Sequence, residues 1–338
     1  MTSYLAKKLR YICLAIGIAL LVALVRKIGI HTIIANMTEI GWLFVPILIM
    51  SACWYALYTA AWMQFLHRLG DGIGFWDLFR IKIMGEAVNT MTPANFIGGD
   101  PMRIHLLKKN FRMSEGAASV VVDRTLHSAA TLIVILAGIV ASFVTFDALP
   151  SNIKYGVPIV VLISTAFIAF IFIHQRRGFF SLIFNLCQRL GIKREFSEKT
   201  VRRFTELDTH IIDFYEESHR GFLIALGYHI AGRAIGIIEI YAIGRVVSDD
   251  FTLFAALVLT ALAPMVNAVF TFVPGAFGVM EGAYSGVLYL LHLDPALGIT
   301  IQIAKRLRAA FWIALGLVFL GAHERKKVWA EEELIEEV

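Results

Sequence analysis

From Ile40 to Leu66 the chain carries no charged side chain, and the same holds from Thr125 to Phe146 and from Gly156 to Ile173. Each run is long enough to cross about 30 Å of hydrocarbon as a helix. Inside a bilayer every peptide N–H and C=O must find its partner within the protein, so such runs are helical. With 58% of 338 residues hydrophobic and a mean hydropathy of +0.71, one soluble core cannot hide the apolar surface. The sequence therefore predicts an all-α polytopic membrane protein, a single integral membrane domain over residues 1–338.

The three runs become spans two, three and four. Before them, KKLRYICLAIGIALLVALVRK has the basic start and apolar run of a signal peptide but no small-x-small cleavage pattern, so it reads as a retained first span with Arg10 and Arg26 snorkelling. Gly221 to Gly244 is a fifth span, interrupted by His229, Arg233 and Glu239, and Leu297 to Ala322 is a sixth, carrying Lys305, Arg306 and Arg308. Residues 175–220 mix apolar side chains at helical spacing with many basic ones and read as amphipathic helices on the cytoplasmic face. The net charge is +5 although the tail EEELIEE is acidic, so the loops are strongly basic. That excess fits cytoplasmic loops and anionic lipid heads. No basic run interleaved with aromatics suggests a nucleic-acid partner. Cys13, Cys53 and Cys187 are scattered, and neither a disulfide, a metal nor a cofactor is expected.

Two segments fit no ordinary span. Ile81 to Leu107 contains TMTPANFIGGDP, and Phe251 to Leu291 is broken at its middle by FVPGAFG. Lysine and arginine mark cytoplasmic loops. Arg68, Arg80 and Lys82 precede the first segment and Lys108, Lys109 and Arg112 follow it, so 81–107 reads as a re-entrant hairpin with both ends cytoplasmic. Following the chain outward through span five leads to SDD (Ser248 to Asp250), and the basic HERKK after span six then requires both ends of the second hairpin, 251–291, outside. One broken hairpin enters from each face, about six transmembrane helices accompany them, and both termini are expected in the cytoplasm.

Residues 41–145 and 221–321 thus form two units of nearly equal length and opposite topology. Pro93 and Pro274 each lead to a phenylalanine three residues on (Phe96, Phe277) and an acid seven residues on (Asp100, Glu281). The same register sets Glu86 against Asn267, and Asp123-Arg124 within a residue of Lys305-Arg306. Inverted repeats with broken helices near the midplane are the architecture of many secondary transporters.

Broken backbone at membrane depth is tolerated only where protein or a water-filled cavity covers it. Pro93, Pro101, Pro274, Gly275 and Gly278, read as hairpin breaks, therefore imply a polar cavity. Asp100 followed by Pro101 reads as an N-cap with proline at the first helical position, and the free N–H groups of such an end favour an anion. Arg103 lies on the first turn, where its guanidinium fork suits a phosphate oxygen. Arg124, Lys305 and Arg306 approach from the following spans, and Asn95, Gly98 and Gly99 complete the expected head-group site. Charges in spans are costly and face the bundle interior. The competing reading makes them ion pairs that lock helices, Asp123 with Arg124 or Arg103 with Glu86. Glu86, Asp100, Asp123 and Glu281 divide between ion-coupling carboxylates and simple pairing or capping. His127 and His229 read as hydrogen-bonded core histidines. Trp54, Tyr55, Tyr58 and Trp62 read as packing, and Trp42 and Trp76 as interface anchors.

GEAVNTMTPANFIGGDPMRIHLL, ASVVVDRTL (Ala118 to Leu126) and VPGAFGVMEGA (Val273 to Ala283) resemble the lysylphosphatidylglycerol synthase transmembrane, or flippase-like, family, and the likeness covers the chain from span two onward. GGDPMR and VVVDRTL look most like its hopanoid-biosynthesis-associated branch. The resemblance implies a bacterial inner-membrane protein that moves or handles lipids without ATP-hydrolysing motifs, and no Walker A element occurs. It points to Glu86, Pro93, Gly99, Asp100, Arg103, Asp123, Arg124, Pro274, Gly275, Gly278 and Glu281. Asp100 stands where the family usually has glutamate, which shortens its reach. Nothing in 322–338 replaces the soluble aminoacyl-transferase domain of bifunctional members, so lipid aminoacylation is not expected.

The leading expectation is a non-ATP-driven lipid translocase, of flippase or scramblase type, with a midplane cavity between the hairpins for an anionic head group. The alternative is a non-transporting membrane partner that docks lipid-modifying or glycosyl-transferring enzymes at the cytoplasmic face, using 175–220. An enzyme is disfavoured because no nucleophile-base pair or H-E-x-x-H pattern appears.

Overall fold

A computed structural model of the chain describes residues 41–70, 72–91, 98–145, 169–182, 198–270 and 278–336, with isolated positions at 38, 162, 165–166 and 186. The expected first span, most of the fourth, the breaks at Pro93, Pro274 and Gly275, and Asn95 lie outside them. Within them a 3-10 turn at Gly41–Leu43 leads into α1 (Phe44–Leu69), followed by α2 (Phe75–Met91), α3 (Gly99–Leu107) and α4 (Met113–Thr145). After α5 (Glu198–Glu217) come α6 (His219–Val247), α7 (Leu253–Val269), α8 (Val279–Leu290) and α9 (Ala296–Glu336). The described residues contain no strand.

Among the described residues three helices are long and apolar enough to cross a bilayer: Gly41–Leu69, Met113–Ser142 and His219–Val247. The chain is a polytopic membrane protein. These three correspond to the predicted spans two, three and five. The predicted sixth lies within α9, whose Lys305, Arg306 and Arg308 break its apolar character.

The proline-rich and glycine-rich segments behave differently. At 1.5 Å per residue, α3 is about 14 Å long and α8 about 18 Å, too short to cross the hydrocarbon. Gly99 sits against Gly85 and Asn89, and Arg103 lies over Gly85, so α3 runs back along α2. The ends of this hairpin meet, because Asn110 donates its side-chain amide to the Gly72 carbonyl and the Phe111 ring packs on Gly72. Lys82, counted from sequence among the basic flanks of the hairpin, is instead buried within α2, whereas Arg80, also in α2, is exposed beside Asp77, and Arg68 lies in the last turn of α1.

α8 starts at Gly278, whose φ of +79° only glycine adopts without strain, and the Gly278 N–H donates to Glu281 Oε2 at 2.7 Å. At α3 the expected cap is corrected: the helix begins at Gly99 with Gly98 as N-cap, so Asp100 lies inside the first turn. Its carboxylate is taken by side chains of neighbouring helices, as described below.

The helices interlock crosswise. α1 lies along α6, while α2 packs on α9 and α7 packs on α4, so each hairpin leans on the last helix of the other half. Small residues allow these approaches: Gly138 of α4 meets Ala261 of α7, and Gly316 of α9 meets Ala87 of α2. Between apolar helices in lipid, such close packing carries much of the association. One hydrophobic core gathers α1 to α5 around Trp62, Leu78, Leu107 and Phe214. A second gathers α6 to α9 around Phe251, Leu259, Tyr284 and Ile301. Tyr55, Ile83 and Trp312 bridge them, with Trp312 Nε1 donating to Ser51 Oγ at 2.8 Å.

α5 is amphipathic as expected, but its apolar stripe does not face lipid. Leu207, Ile211, Phe214 and Tyr215 are buried in the first core. Tyr215 donates to Gln175, which donates to Thr125 of α4, and burial raises the Tyr215 pKa above its ordinary value. Asp208 accepts from the backbone N–H groups of Phe180 and Ser181. An amphipathic pattern fixes which face is covered but not what covers it.

Gly316→Ala would bring a methyl group to 2.9 Å from the Ile83 carbonyl oxygen, a backbone atom, whereas Gly138→Ala would crowd only the Ala261 methyl below 3.0 Å. Gly316→Ala is expected to cost about 1–3 kcal/mol and Gly138→Ala less, as read from thermal unfolding in detergent.

Candidate functional site

On α2, Lys82, Glu86 and Asn89 follow i, i+4, i+7 spacing and share one face. Opposite them α3 presents Asp100 and Arg103, and α4 presents Asp123 and Arg124. Helical geometry sends adjacent residues in different directions, and the partners show it. Asp123 turns to Lys82, whose Nζ lies 3.0 Å from both carboxylate oxygens and also donates to the Tyr58 carbonyl of α1 at 2.8 Å. Arg124 turns to Asp100, with Nη2 and Nε at 2.8 and 3.0 Å from its two oxygens. Adjacent Asp123 and Arg124 therefore do not pair with each other.

Arg103, only 1% exposed, sits at the centre. Its Nη2 donates to Glu86 at 2.8 Å, its Nη1 to Asp100 at 3.3 Å, and Asp123 approaches to 3.9 Å. The indole of Trp62 lies beneath both Arg103 and Lys82. Gly99 allows the approach, since a Cβ there would fall 2.0 Å from the Gly85 carbonyl oxygen, and its N–H donates to Asn89. Three cations thus meet three carboxylates in a balanced network, and neither Arg103 nor Asp123 faces open space.

The second half has a related but unbalanced arrangement. Arg306 Nε donates to Glu281 Oε1 at 2.8 Å, the counterpart of Arg124 with Asp100. Lys305, however, donates to the Tyr284 hydroxyl at 2.9 Å and lies over its ring. Among the described residues no carboxylate lies within 4 Å of Lys305, which is half-buried. Deeper along α9, Arg308 pairs with the buried Glu239 of α6, which also accepts from Trp54.

A polar seam runs between α4 and α6. Asp123, His127 and Thr131 recur every four residues on α4, and His229 and Arg233 do so on α6. His229 Nε2 lies 3.3 Å from Asp123 while its ring stacks on Tyr58. Arg233 Nη2 lies 2.7 Å from His127 Nε2 and donates to the Thr131 hydroxyl.

Of the residues expected at the site, Glu86, Asp100, Arg103, Asp123 and Arg124 come together in one network with Gly99 against it. Arg306 and Glu281 form a separate pair with Gly278 at its edge, and Lys305 is beside it. Pro101 is on the first turn of α3. Lys82, which completes the first network, was legible as the start of the i, i+4, i+7 face of α2. The Glu239 and Arg308 pair lies far apart in sequence, and no local spacing announces it. Trp62, Tyr55 and Tyr58 are buried, and Trp42 and Trp76 are exposed.

Residues 11–317 match the family model of the lysylphosphatidylglycerol synthase TM region. The chain belongs to this family. It is 22% identical over 312 residues to a UPF0104 membrane protein of Methanothermobacter thermautotrophicus, covering 89% of this chain and 91% of the relative. A second UPF0104 membrane protein, of Pyrococcus horikoshii, is 22% identical over 316 residues, covering 90% and 93%. No solved structure matches the chain significantly. The family membership spans both hairpins and the networks around them.

Lys82→Met leaves Asp123 buried beside a vacated cation and is expected to cost about 3–5 kcal/mol, whereas Lys82→Met with Asp123→Leu recovers most of that loss. Unfolding in detergent measures both. A loss in the double variant equal to the sum of the Lys82→Met and Asp123→Leu losses would show that the two charges are not coupled.

Proposed function

We propose that this family member moves a lipid with an anionic head group between the leaflets without hydrolysing ATP. Residues 41–145 and 221–321 act as two inverted units, and the head group passes a polar zone between their hairpins while the acyl tails stay in the bilayer. The observation that carries this reading is the asymmetry of the two charged arrangements. The network at the first hairpin is electrically balanced and closed, while at the second hairpin Lys305 has no carboxylate within 4 Å among the described residues. An uncompensated ammonium at membrane depth is costly unless an anion visits it.

The family's name, after the membrane region of a synthase of a modified phospholipid, is consistent with lipid handling. Within this reading Lys305, with Arg306 beside it, meets the head group. Arg103 and Arg124, tied to Glu86 and Asp100, hold the first hairpin in shape and respond to the passing charge only if those pairs open. Asp123 belongs to the lock rather than to the path. The place of action is the cytoplasmic membrane, the inner membrane in a bacterium.

Purified full-length protein in vesicles with fluorescently labelled phosphatidylglycerol is expected to expose label of the inner leaflet to an external quencher without added nucleotide. Lys305→Gln is expected to slow that exposure by about tenfold, from loss of one charged contact. Vesicles containing the protein that behave like empty ones would end the translocase reading in favour of a docking partner.

A further inference from the structure

Arg233 stands at the middle of α6, fourteen residues from His219 and fourteen from Val247, in one of the three helices long and apolar enough to span the bilayer. That is about 21 Å of helix in either direction, more than an arginine can snorkel. Its guanidinium is nevertheless not neutralised. Among the described residues no carboxylate lies within 4 Å, and its partners are a histidine ring nitrogen and a threonine hydroxyl. Because arginine can only donate, His127 Nε2 must accept, which makes His127 a neutral ring here. Arg233 Nε is buried and has no partner.

The other arginines at membrane depth contrast with this. Arg103, Arg124, Arg306 and Arg308 each have a carboxylate at hydrogen-bond distance. Arg233 is half-buried, and so are His127 and Thr131, while Ser128, Ala231 and Ala234 around them are exposed. The seam between α4 and α6 is thus flanked by exposed residues at the depth of Arg233, halfway along a helix apolar enough to span the bilayer. A half-buried guanidinium at that depth, with no carboxylate within 4 Å among the described residues, calls for an anion with at least two acceptor oxygens, and a phosphodiester provides them in the fork geometry.

We infer that Arg233, aimed by His127 and Thr131, is a lateral binding site for the phosphate of a phospholipid, separate from the hairpin networks. This rests on the lipid-handling reading above and adds a midway position on the path and the chemical group recognised. Thr131 and His127 act as positioning residues for the guanidinium.

The test uses full-length protein in detergent, titrated with phosphatidylglycerol or with diacylglycerol of the same chains and read by native mass spectrometry. Wild type is expected to retain phosphatidylglycerol over diacylglycerol. Arg233→Gln lowers phosphatidylglycerol occupancy by about tenfold or more, and Arg233→Lys by less, since it retains the charge but not the fork. Millimolar inorganic phosphate leaves the bound lipid in place. Unchanged occupancy in Arg233→Gln, equal binding of diacylglycerol, or displacement by inorganic phosphate would each overturn the site as a lipid-phosphate site. Should Arg233→Gln not survive extraction, Thr131→Val must lower occupancy severalfold at an unaltered unfolding temperature, and no change there overturns the proposal. The vesicle assay keeps the two readings apart. Arg233-dependent lipid binding without movement removes the translocase and keeps the site, and movement with Arg233-independent binding does the reverse.

Discussion

Four helices converge on the contact between Lys82 and Asp123. Lys82 comes from α2 and Asp123 from α4, while the Tyr58 carbonyl of α1 and the His229 ring of α6 complete the shell. Both charged side chains are almost fully buried. Neither can be tolerated at that depth alone, so helices bearing one must find the helix bearing the other. The constraint propagates outward: with α2 and α4 fixed by this contact, Arg103 of the short helix α3 is enclosed by carboxylates from three directions. A buried ion pair adds little net stability, but it specifies which helix face meets which.

That network holds a hairpin that has no means of standing alone. α3 is too short to span the hydrocarbon, and the Pro93 that precedes it in the sequence has no backbone N–H to donate. Gly85, Gly99 and Asn89 let the two arms approach closely, and the Asn110 contact with Gly72 closes the hairpin at its base. The second hairpin is held with fewer charges. Glu281 serves both as the cap of α8, through Gly278, and as the acceptor for Arg306. The proposed lipid movement rests on the difference between a closed, neutral first arrangement and a second in which Lys305 has no carboxylate within 4 Å among the described residues.

Much of the helical plan was legible because its cause is local. Uncharged runs of sufficient length must be helices in lipid, so α1, α4 and α6 followed from residue order, and the short α3 and α8 begin after the prolines and glycines that the sequence places before them. The Asp100 cap failed for a physical reason: a carboxylate within reach of two guanidiniums is better satisfied by them than by backbone N–H groups. Lys82 was misread as a flanking charge because the lysine and arginine rule counts residues near segment ends and is blind to burial. What covers the apolar stripe of α5 was not legible either, since a hydrophobic stripe looks the same whether lipid or protein covers it.

The sequence by itself determined that this is an all-helical membrane protein with two broken segments and an unusual density of acids and bases beside them, because helix formation, chain breaks and the bilayer's exclusion of unpaired backbone act over short stretches. Only the tertiary structure decided who pairs with whom: Asp123 with Lys82 rather than Arg124, Glu239 with Arg308 across the chain, and Arg233 with no acid among the described residues. Ion pairing depends on the rotation and crossing of whole helices. Those are set by close contacts such as Gly316 on Ala87, between residues far apart in the chain.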